Sequence, residues 1–243
     1  MKTLLPLIIS FTLISACVYG APKATESDVS YGKHERNKLD FWKAKSSKPT
    51  PVLIYFHGGG FKMGDKKHIK YFFSVDDYLK KGVSCITVNY PFLKHTNNNY
   101  LVIMKHCQDA VNFVKKNAKK WNIDPKNIAA AGTSAGALIS QYLGYKGSDI
   151  KAIGSFMQPM GTEFFVLPNI KKSSPPIMIY QQNPTTDKIH HPKYAQMVKD
   201  ACDRLKCECL LFGTGKNGIP KLPGGKSHKE LMMKFFLEKL GIK

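Results

Sequence analysis

One turn constrains this chain more than any other feature: the sequence Gly-Thr-Ser-Ala-Gly at residues 132–136. It follows an apolar run at 127–131 and precedes a helix-like stretch at 135–145, so the order is strand, sharp turn, helix. A serine at the apex of such a turn is a nucleophile elbow, in which the flanking glycines tolerate backbone angles that strain other residues. The pattern therefore predicts that Ser134 projects its hydroxyl above the end of a sheet.

A second glycine-rich motif, His-Gly-Gly-Gly at 57–60, directly follows the apolar run at 52–56. Three consecutive glycines lose much conformational entropy on folding, so they need a structural reason. Without side chains in the way, their backbone N–H groups can meet an oxyanion, as they do in the HGGG loops of lipases and esterases. We expect an oxyanion hole with donors from Gly59 or Gly60 on this loop and from Ala135 after the elbow.

With both motifs in place, the chain resembles the α/β-hydrolase superfamily. The branch is that of HGGG esterases, which includes hormone-sensitive-lipase-like and feruloyl or acetyl-xylan esterase-like enzymes. The likeness runs from about Tyr31 to the C-terminus and includes the segments 36–42, 64–66, 88–90 and 122–128. It implies a serine-dependent ester hydrolase that needs no cofactor, and it says little about the substrate.

Strand-like and helix-like runs alternate along the chain, which predicts a mostly parallel sheet with helices on both faces. In such sheets ligands bind beyond the carboxyl ends of the strands, where both motifs lie. The stretch 154–176 is too short for a large lid, so we expect a minimal one. Strands are predicted near 39–44, 51–57, 83–89, 127–132, 150–156, 176–181 and 207–213, and helices near 67–81, 100–119, 135–145, 192–205 and 228–240.

The general base must be a histidine that reaches Ser134. In this fold the chain order is serine, acid, histidine, and only three histidines follow the serine. His228 lies after a glycine-rich loop at the start of the last predicted helix, where the resembled family places its base. We therefore expect His228 to be the base, with His190 and His191 as the fallback.

The acid should follow the predicted strand at 176–181. Asp187 is the carboxylate in that loop, although the loop before it is longer than the usual Gly-x-x-Asp spacing. We expect Asp187 to orient the imidazole and to stabilise its charged form, with Glu163 as the alternative acid.

The N-terminus indicates export. Residues 1–20 combine a basic start, a short apolar core and small residues, which is the pattern of a secretory signal and too short to span a bilayer. Cleavage before Ala21 and a lipobox-type cleavage that leaves Cys17 lipidated both fit. The rest, 21–243, is predicted to be one α/β-hydrolase domain, either secreted or periplasmic, or an outer-surface lipoprotein.

The charge is strongly positive: 37 Lys and Arg residues against 17 Asp and Glu residues give a net charge of +20. This fits a solvated basic surface or steering toward an anionic polymer or a membrane surface. Nucleic acid is not expected as a partner, because the N-terminal pattern indicates export and the chain carries no recognition motif.

The cysteines leave several arrangements open. Cys202 is close enough in sequence to bridge with Cys207 or Cys209, whereas Cys85 and Cys107 fit buried free thiols equally well. No Cys-x-x-Cys pair with zinc spacing occurs, so we expect no metal site.

The sequence therefore predicts a serine carboxylester hydrolase that acts on short-chain or polysaccharide-linked acyl esters, the substrate being implied by the resemblance alone. Two different functions stay open beside it. One is a serine peptidase of the same fold, because the catalytic triad recurs there. The other is a non-catalytic binding protein on a hydrolase scaffold, which the unusual Asp187 loop favours.

Overall fold

The computed structural model describes residues 22–242, so the predicted signal sequence at 1–20 lies outside the described part of the chain. These residues build a single eight-stranded sheet. The strands are β1 (Glu26–Ser30), β2 (Lys38–Trp42), β3 (Thr50–Phe56), β4 (Ser84–Val88), β5 (Ile123–Thr133), β6 (Ile150–Phe156), β7 (Ile177–Gln181) and β8 (Cys209–Gly213).

The sheet order is β1-β2-β4-β3-β5-β6-β7-β8. β3 to β8 are parallel, whereas β1 and β2 join one edge in antiparallel pairing. β3, β4 and β7 are buried at every position, as expected for strands covered on both faces. The mostly parallel sheet predicted from the alternating pattern is therefore confirmed.

Helices cover both faces of the sheet, and each face has its own apolar core. Side chains alternate along a strand, so Val52, Ile54 and Phe56 of β3 face the helices at 100–116, 135–146 and 192–205. Leu53 and Tyr55 face the helices at 69–72, 75–80 and 228–239. No helix within 22–242 is long and apolar enough to cross a membrane. The helices are α1 (Ile69–Phe72), α2 (Val75–Lys80), α3 (Tyr100–Lys116), α4 (Ala118–Trp121), α5 (Ala135–Lys146), α6 (Thr162–Phe165), α7 (Pro192–Leu205) and α8 (His228–Lys239).

Two predicted helices are interrupted. The helix expected at 67–81 is broken at Phe73 and Ser74, whose backbone is extended, and the Ser74 hydroxyl caps the start of α2. The helix expected at 100–119 breaks at Asn117, which ends α3 and precedes α4.

The described cysteines are free thiols. Cys85 and Cys107 are buried in the two apolar cores, on opposite faces of the sheet. Cys202 lies against Cys207 and Cys209 at the junction of α7 and β8. The proximity predicted from sequence therefore holds, with the three thiols unbridged.

Candidate active site

Ser134 lies at the turn between β5 and α5, with a backbone that few non-glycine residues adopt (φ 53°, ψ −117°). Its N–H donates to the carbonyl of Phe156, 2.9 Å away, at the end of the neighbouring strand β6. A Cβ at Gly136 would overlap the carbonyl oxygen of Phe56, so only glycine lets α5 approach β3 this closely. The predicted elbow geometry is present, and the strained turn presents Ser134 at the carboxyl edge of the sheet.

His190 is the histidine that the structure places against Ser134. Its Nε2 lies 2.8 Å from the serine Oγ. His190 belongs to the loop between β7 and α7, and its main-chain carbonyl accepts a hydrogen bond from the side chain of Gln181. Gln181 is buried at the end of β7, and its Oε1 accepts from the N–H of Gln158 at 2.7 Å. The loop that carries His190 is therefore anchored to the sheet.

Asp187 completes a chain of three polar groups. Its Oδ2 lies 3.2 Å from Nδ1 of His190, while its Oδ1 accepts from the N–H groups of Ile189 (3.0 Å) and His190 (2.9 Å). Asn183 also donates to Oδ2, at 2.8 Å. The main-chain donor of His190 is the largest cause that lowers the pKa of Asp187, with smaller contributions from the His190 ring and Asn183 and an opposing one from burial. Asp187 therefore stays ionised beside the imidazole.

The expectation that His228 reaches Ser134 is not met. The ring of His228 stacks on Tyr180 at a centroid distance of 4.7 Å and meets Phe156 edge-on at 5.8 Å. Its position is fixed by the start of α8, where Ser227 and Glu230 form a reciprocal cap. Burial, followed by nearby Lys229, lowers the pKa of His228. We therefore correct the expected base from His228 to His190.

His191 and Glu163 lie away from the hydroxyl of Ser134. His191 caps the N-terminus of α7, where its Nδ1 accepts from the N–H of Lys193 at 3.0 Å. Glu163 lies in the first turn of α6 and is partly buried. One signal in the sequence could have found His190: it follows the acid by three residues, so a single tight turn can hold acid and base together.

His57 orders the glycine loop. Its buried ring stacks on Tyr90 at 4.3 Å, and its Nδ1 donates to the carbonyl of Gly58 at 2.7 Å. The hydroxyl of Tyr90 in turn donates to the carbonyl of His57 at 2.6 Å. Burial lowers the pKa of His57 to about 4, so the ring remains neutral and acts as a spacer in the loop.

Arg36 joins the glycine loop to the segment that follows β4. Its Nε donates to the carbonyl of Tyr90 at 2.9 Å and its Nη2 to the carbonyl of Gly64 at 3.1 Å. The guanidinium also lies over the ring of Phe92, 3.7 Å from the centroid. Both ends of the loop are thus fixed by side chains outside it.

The buried side chain of Lys66 holds the segment that follows the glycine loop. Lys66 is 3% exposed, and its Nζ lies 2.8 Å from Asp40 and 3.0 Å from Asp28. Burial opposes its charge, but hydrogen bonds to these two carboxylates outweigh the burial and raise the pKa of Lys66. The N–H of Lys66 donates to the side chain of Asn89 at 2.7 Å. This network ties β1 and β2 to the chain that leaves the glycine loop.

Two of the three expected oxyanion donors line the cavity that contains Ser134. Gly60 and Ala135 line the same cavity as Ser134, and Ala135 begins α5, where helix N–H groups lack partners within the helix. Gly59 instead forms the turn of the loop, its carbonyl accepting from the N–H groups of Lys62 and Met63. The cavity edge that faces Ser134 therefore carries Gly60 from the loop and Ala135 from the helix.

The cavity above Ser134 has a volume of about 670 Å³ and mostly apolar walls. Such a shape suits the apolar part of a ligand, with polar groups confined to one end. Its walls are formed by Phe61, Tyr100, Leu138, Met160, Phe164 and Phe165, among others. Among the described residues, no group of three or more His, Cys, Asp or Glu side chains is arranged to hold a metal ion.

A strained serine turn and a histidine–aspartate pair at the carboxyl edge of a mostly parallel sheet define the α/β-hydrolase fold. The BD-FAE family model matches residues 39–165, just over half of the chain. The chain therefore belongs to the BD-FAE family of α/β-hydrolase esterases.

Several curated relatives are named as esterases. Gut esterase 1 of Caenorhabditis briggsae is 33% identical over 118 residues, which are 44% of this chain and 21% of that protein. Esterase LipC of Mycobacterium tuberculosis is 28% identical over 123 residues, which are 50% of this chain and 30% of that protein. The matches thus span about a fifth to a third of the length of these relatives.

Solved structures share the fold at low identity. A truncated carbohydrate esterase from gut microbiota superposes with a TM-score of 0.74 at 17% identity, over 92% of this chain and 100% of that one. An acetyl ester-xyloside bifunctional hydrolase from Caldicellulosiruptor lactoaceticus gives 0.66 at 15% identity, over 84% and 88%. At these identities the likeness shows the fold, and it confirms the predicted α/β-hydrolase architecture.

Proposed function

We propose that this protein is a serine carboxylester hydrolase that works through an acyl-enzyme. The observation that carries the proposal is the 2.8 Å contact between Oγ of Ser134 and Nε2 of His190, with Asp187 on the other ring nitrogen. A nucleophile, a base and a group that orients the base are thereby in series, which is the arrangement that activates a serine. Membership of an esterase family supports the ester as the bond that is cleaved.

The reaction follows from this geometry. His190 takes the proton of Ser134 as Oγ attacks the ester carbonyl, and Asp187 stabilises the imidazolium that forms. We assign the oxyanion to the N–H groups of Gly60 and Ala135, because both residues line the cavity of Ser134. One such donor typically lowers the barrier by about 3–4 kcal/mol. His190 then protonates the departing alcohol. Water, activated by the same histidine, releases the acid and restores Ser134.

We infer that the substrates are short-chain or polysaccharide-linked acyl esters. The cavity of about 670 Å³ offers room for a small acyl group next to Ser134. The names of two structural neighbours, a carbohydrate esterase and an acetyl ester-xyloside hydrolase, point the same way. Export to the secreted, periplasmic or outer-surface compartment is a separate proposal, supported by the pattern of residues 1–20.

The test combines ester hydrolysis with active-site labelling. The protein and its Ser134→Ala variant are assayed on p-nitrophenyl esters from acetate to octanoate. Separately, each is treated with a fluorophosphonate and its labelled peptide identified by mass spectrometry. We expect the variant to lose activity by a factor on the order of 10⁶ and to lose the label. Ser174→Ala, a serine near the amino end of β7, is the matched control and should keep both. Labelling of another residue, or an active Ser134→Ala variant, would refute the proposal.

A further inference from the structure

The exposed apolar side chains are gathered at one edge of the molecule. All of the large hydrophobic residues that are exposed within 22–242 follow the carboxyl ends of β3, β4, β6 and β7. Phe164 is 79% exposed and Met63 is 67% exposed, so these are not partly covered core residues. The set comprises Met63, Tyr71, Tyr100, Leu101, Val102, Met160, Phe164 and Ile189.

Part of this set surrounds the mouth of the Ser134 cavity. Four of them line the cavity itself, namely Tyr100, Met160, Phe164 and Ile189. We call these four the apolar rim. Leu101 and Val102 extend it along the first turn of α3, and Met63 extends it from the glycine loop. Contiguous exposed apolar surface on a soluble domain marks a place where another apolar surface binds.

Exposed lysines lie beside the apolar rim. Lys62 lines the cavity, and Lys188 is exposed directly before Ile189 of the rim. Two carboxylates lie in the same region: Asp187, which is bound to His190, and Glu163, which is partly buried in α6. Lysine stems can lie along apolar surface while their ammonium groups reach a charged layer above it. The mouth therefore combines exposed hydrophobic groups with exposed lysine side chains, in a protein whose net charge is +20.

Exposed apolar side chains beside lysines favour one kind of anionic surface over another as the partner. An acidic polysaccharide would satisfy Lys62 and Lys188 but offers no apolar phase for aliphatic side chains such as Met160 and Ile189. The surface of an anionic lipid layer offers both, with charge at the headgroups and hydrocarbon just below. We propose that the apolar rim docks on anionic lipid surfaces, with the cavity of Ser134 facing the lipid.

Docking in this orientation has a consequence for the substrate. Ser134 lies beneath the rim, so an ester carried by an amphiphile in the layer would enter the cavity acyl end first, without crossing water. This consequence rests on the proposed esterase activity, whereas the binding itself does not. The two are therefore tested separately, and binding is measured on the Ser134→Ala protein.

The binding test is sedimentation with vesicles of phosphatidylcholine alone and of phosphatidylcholine mixed with phosphatidylglycerol. We expect binding to the mixed vesicles, weakened by salt, and at least about tenfold weaker binding to the neutral ones. The double variant Met160→Ser with Phe164→Ser should lose about tenfold or more in affinity for the mixed vesicles. Because both side chains are exposed, its thermal unfolding should match that of the parent. Equal binding to both vesicle types, or no effect of the double variant, would overturn the proposal.

A matched charge reversal separates the mouth from general basicity. Lys62→Glu with Lys188→Glu changes the charge beside the rim. Lys126→Glu with Lys151→Glu makes the same change at the amino ends of β5 and β6, on the opposite edge of the sheet. We expect the first pair to lose vesicle binding and the second to keep most of it. Equal losses would show nonspecific attraction and would overturn the proposal.

Two further outcomes would also overturn it. Light scattering could show a dimer that the Met160→Ser and Phe164→Ser changes dissociate, in which case the rim is a subunit interface. Binding to an acidic polysaccharide such as polygalacturonate, lost in the same variant, would instead make the rim a polymer site. A monomer whose polymer binding is unaffected by the rim variant supports lipid docking.

Discussion

Nε2 of His190 lies 2.8 Å from Oγ of Ser134, although the two residues come from different strand–helix connections. His190 shares its loop with Asp187, so acid and base approach the serine as one unit. The loop is held at the sheet by the buried side chain of Gln181. The orientation of His190, the proposed base, thus depends on the loop between β7 and α7.

Asp187→Asn should greatly impair turnover while leaving the serine in place. The amide would present the wrong hydrogen-bonding partner to Nδ1 of His190, and the equivalent change in a serine triad lowers kcat by about 10⁴. The measurement is kcat on a soluble p-nitrophenyl ester. Asp200→Asn, at an exposed site on α7, is the matched control and should be fully active. An Asp187→Asn protein with normal kcat would show that the carboxylate has no part in orienting the base.

Gly136→Ala and Gly60→Ala should differ sharply in stability. A Cβ at Gly136 overlaps the backbone of β3, so alanine there should lower the free energy of unfolding by roughly 3 kcal/mol or more. Gly60 has φ +60° but open space around it, so alanine there should cost only about 1–2 kcal/mol. Urea unfolding measures both. Equal decreases in the free energy of unfolding would mean that the close approach of α5 to β3 does not restrict the side chain at position 136.

Much of this architecture could be predicted from the sequence, because most of the buried strands contain short apolar runs. The apolar pattern does not predict β1, because Glu26–Ser30 is mostly polar and pairs with β2 alone at the edge of the sheet. The pattern does not predict the short helix α6 either, because four residues are too few to show a helical periodicity.

The strand and helix pattern of the sequence does not distinguish the two histidines. His190 and His228 both follow parallel strands, so the pattern places both at the site edge. Contacts with side chains of β7 determine which histidine lies against Ser134. Gln181 donates a hydrogen bond to the carbonyl of His190, whereas the ring of Tyr180 stacks on His228. The sequence signal that favours His190 is its position three residues after Asp187.

Lys66→Met should destabilise the protein strongly. Removing the ammonium leaves the buried carboxylate of Asp40 without its cation, whereas Asp28 is exposed to water. Breaking a buried ion pair from one side costs about 3–5 kcal/mol. Lys67→Met changes an exposed neighbour in the same way and should be nearly neutral. The free energy of unfolding in urea distinguishes the two. Similar values for both variants would contradict a stabilising role for the buried pair.

Stability should fall as the pH is lowered from 7 to 5, in part because of His57. Its pKa is about 4 in the folded protein against 6.5 for an unperturbed histidine, so the unfolded chain takes up the proton first. The stability that neutral His57 provides is present above pH 6.5 and is lost as the pH falls toward 4. Between pH 7 and pH 5 the loss amounts to about 2 kcal/mol.

The check is urea unfolding across this pH range for the protein and for His57→Phe. The variant should be less stable at pH 7, because the hydrogen bond to Gly58 is gone, but its stability should depend less on pH. An unchanged slope would mean that His57 titrates normally in the folded protein.

The most direct measurement compares His190→Ala with His228→Ala on a soluble p-nitrophenyl ester, with thermal unfolding recorded for each. His190→Ala should fold normally and lose activity by a factor on the order of 10⁶, as expected for removal of a catalytic base. His228→Ala should keep most of the activity and show a lower Tm, because the stacking on Tyr180 is lost. An inactive, well-folded His228→Ala protein beside an active His190→Ala protein would contradict the Ser134–His190–Asp187 assignment.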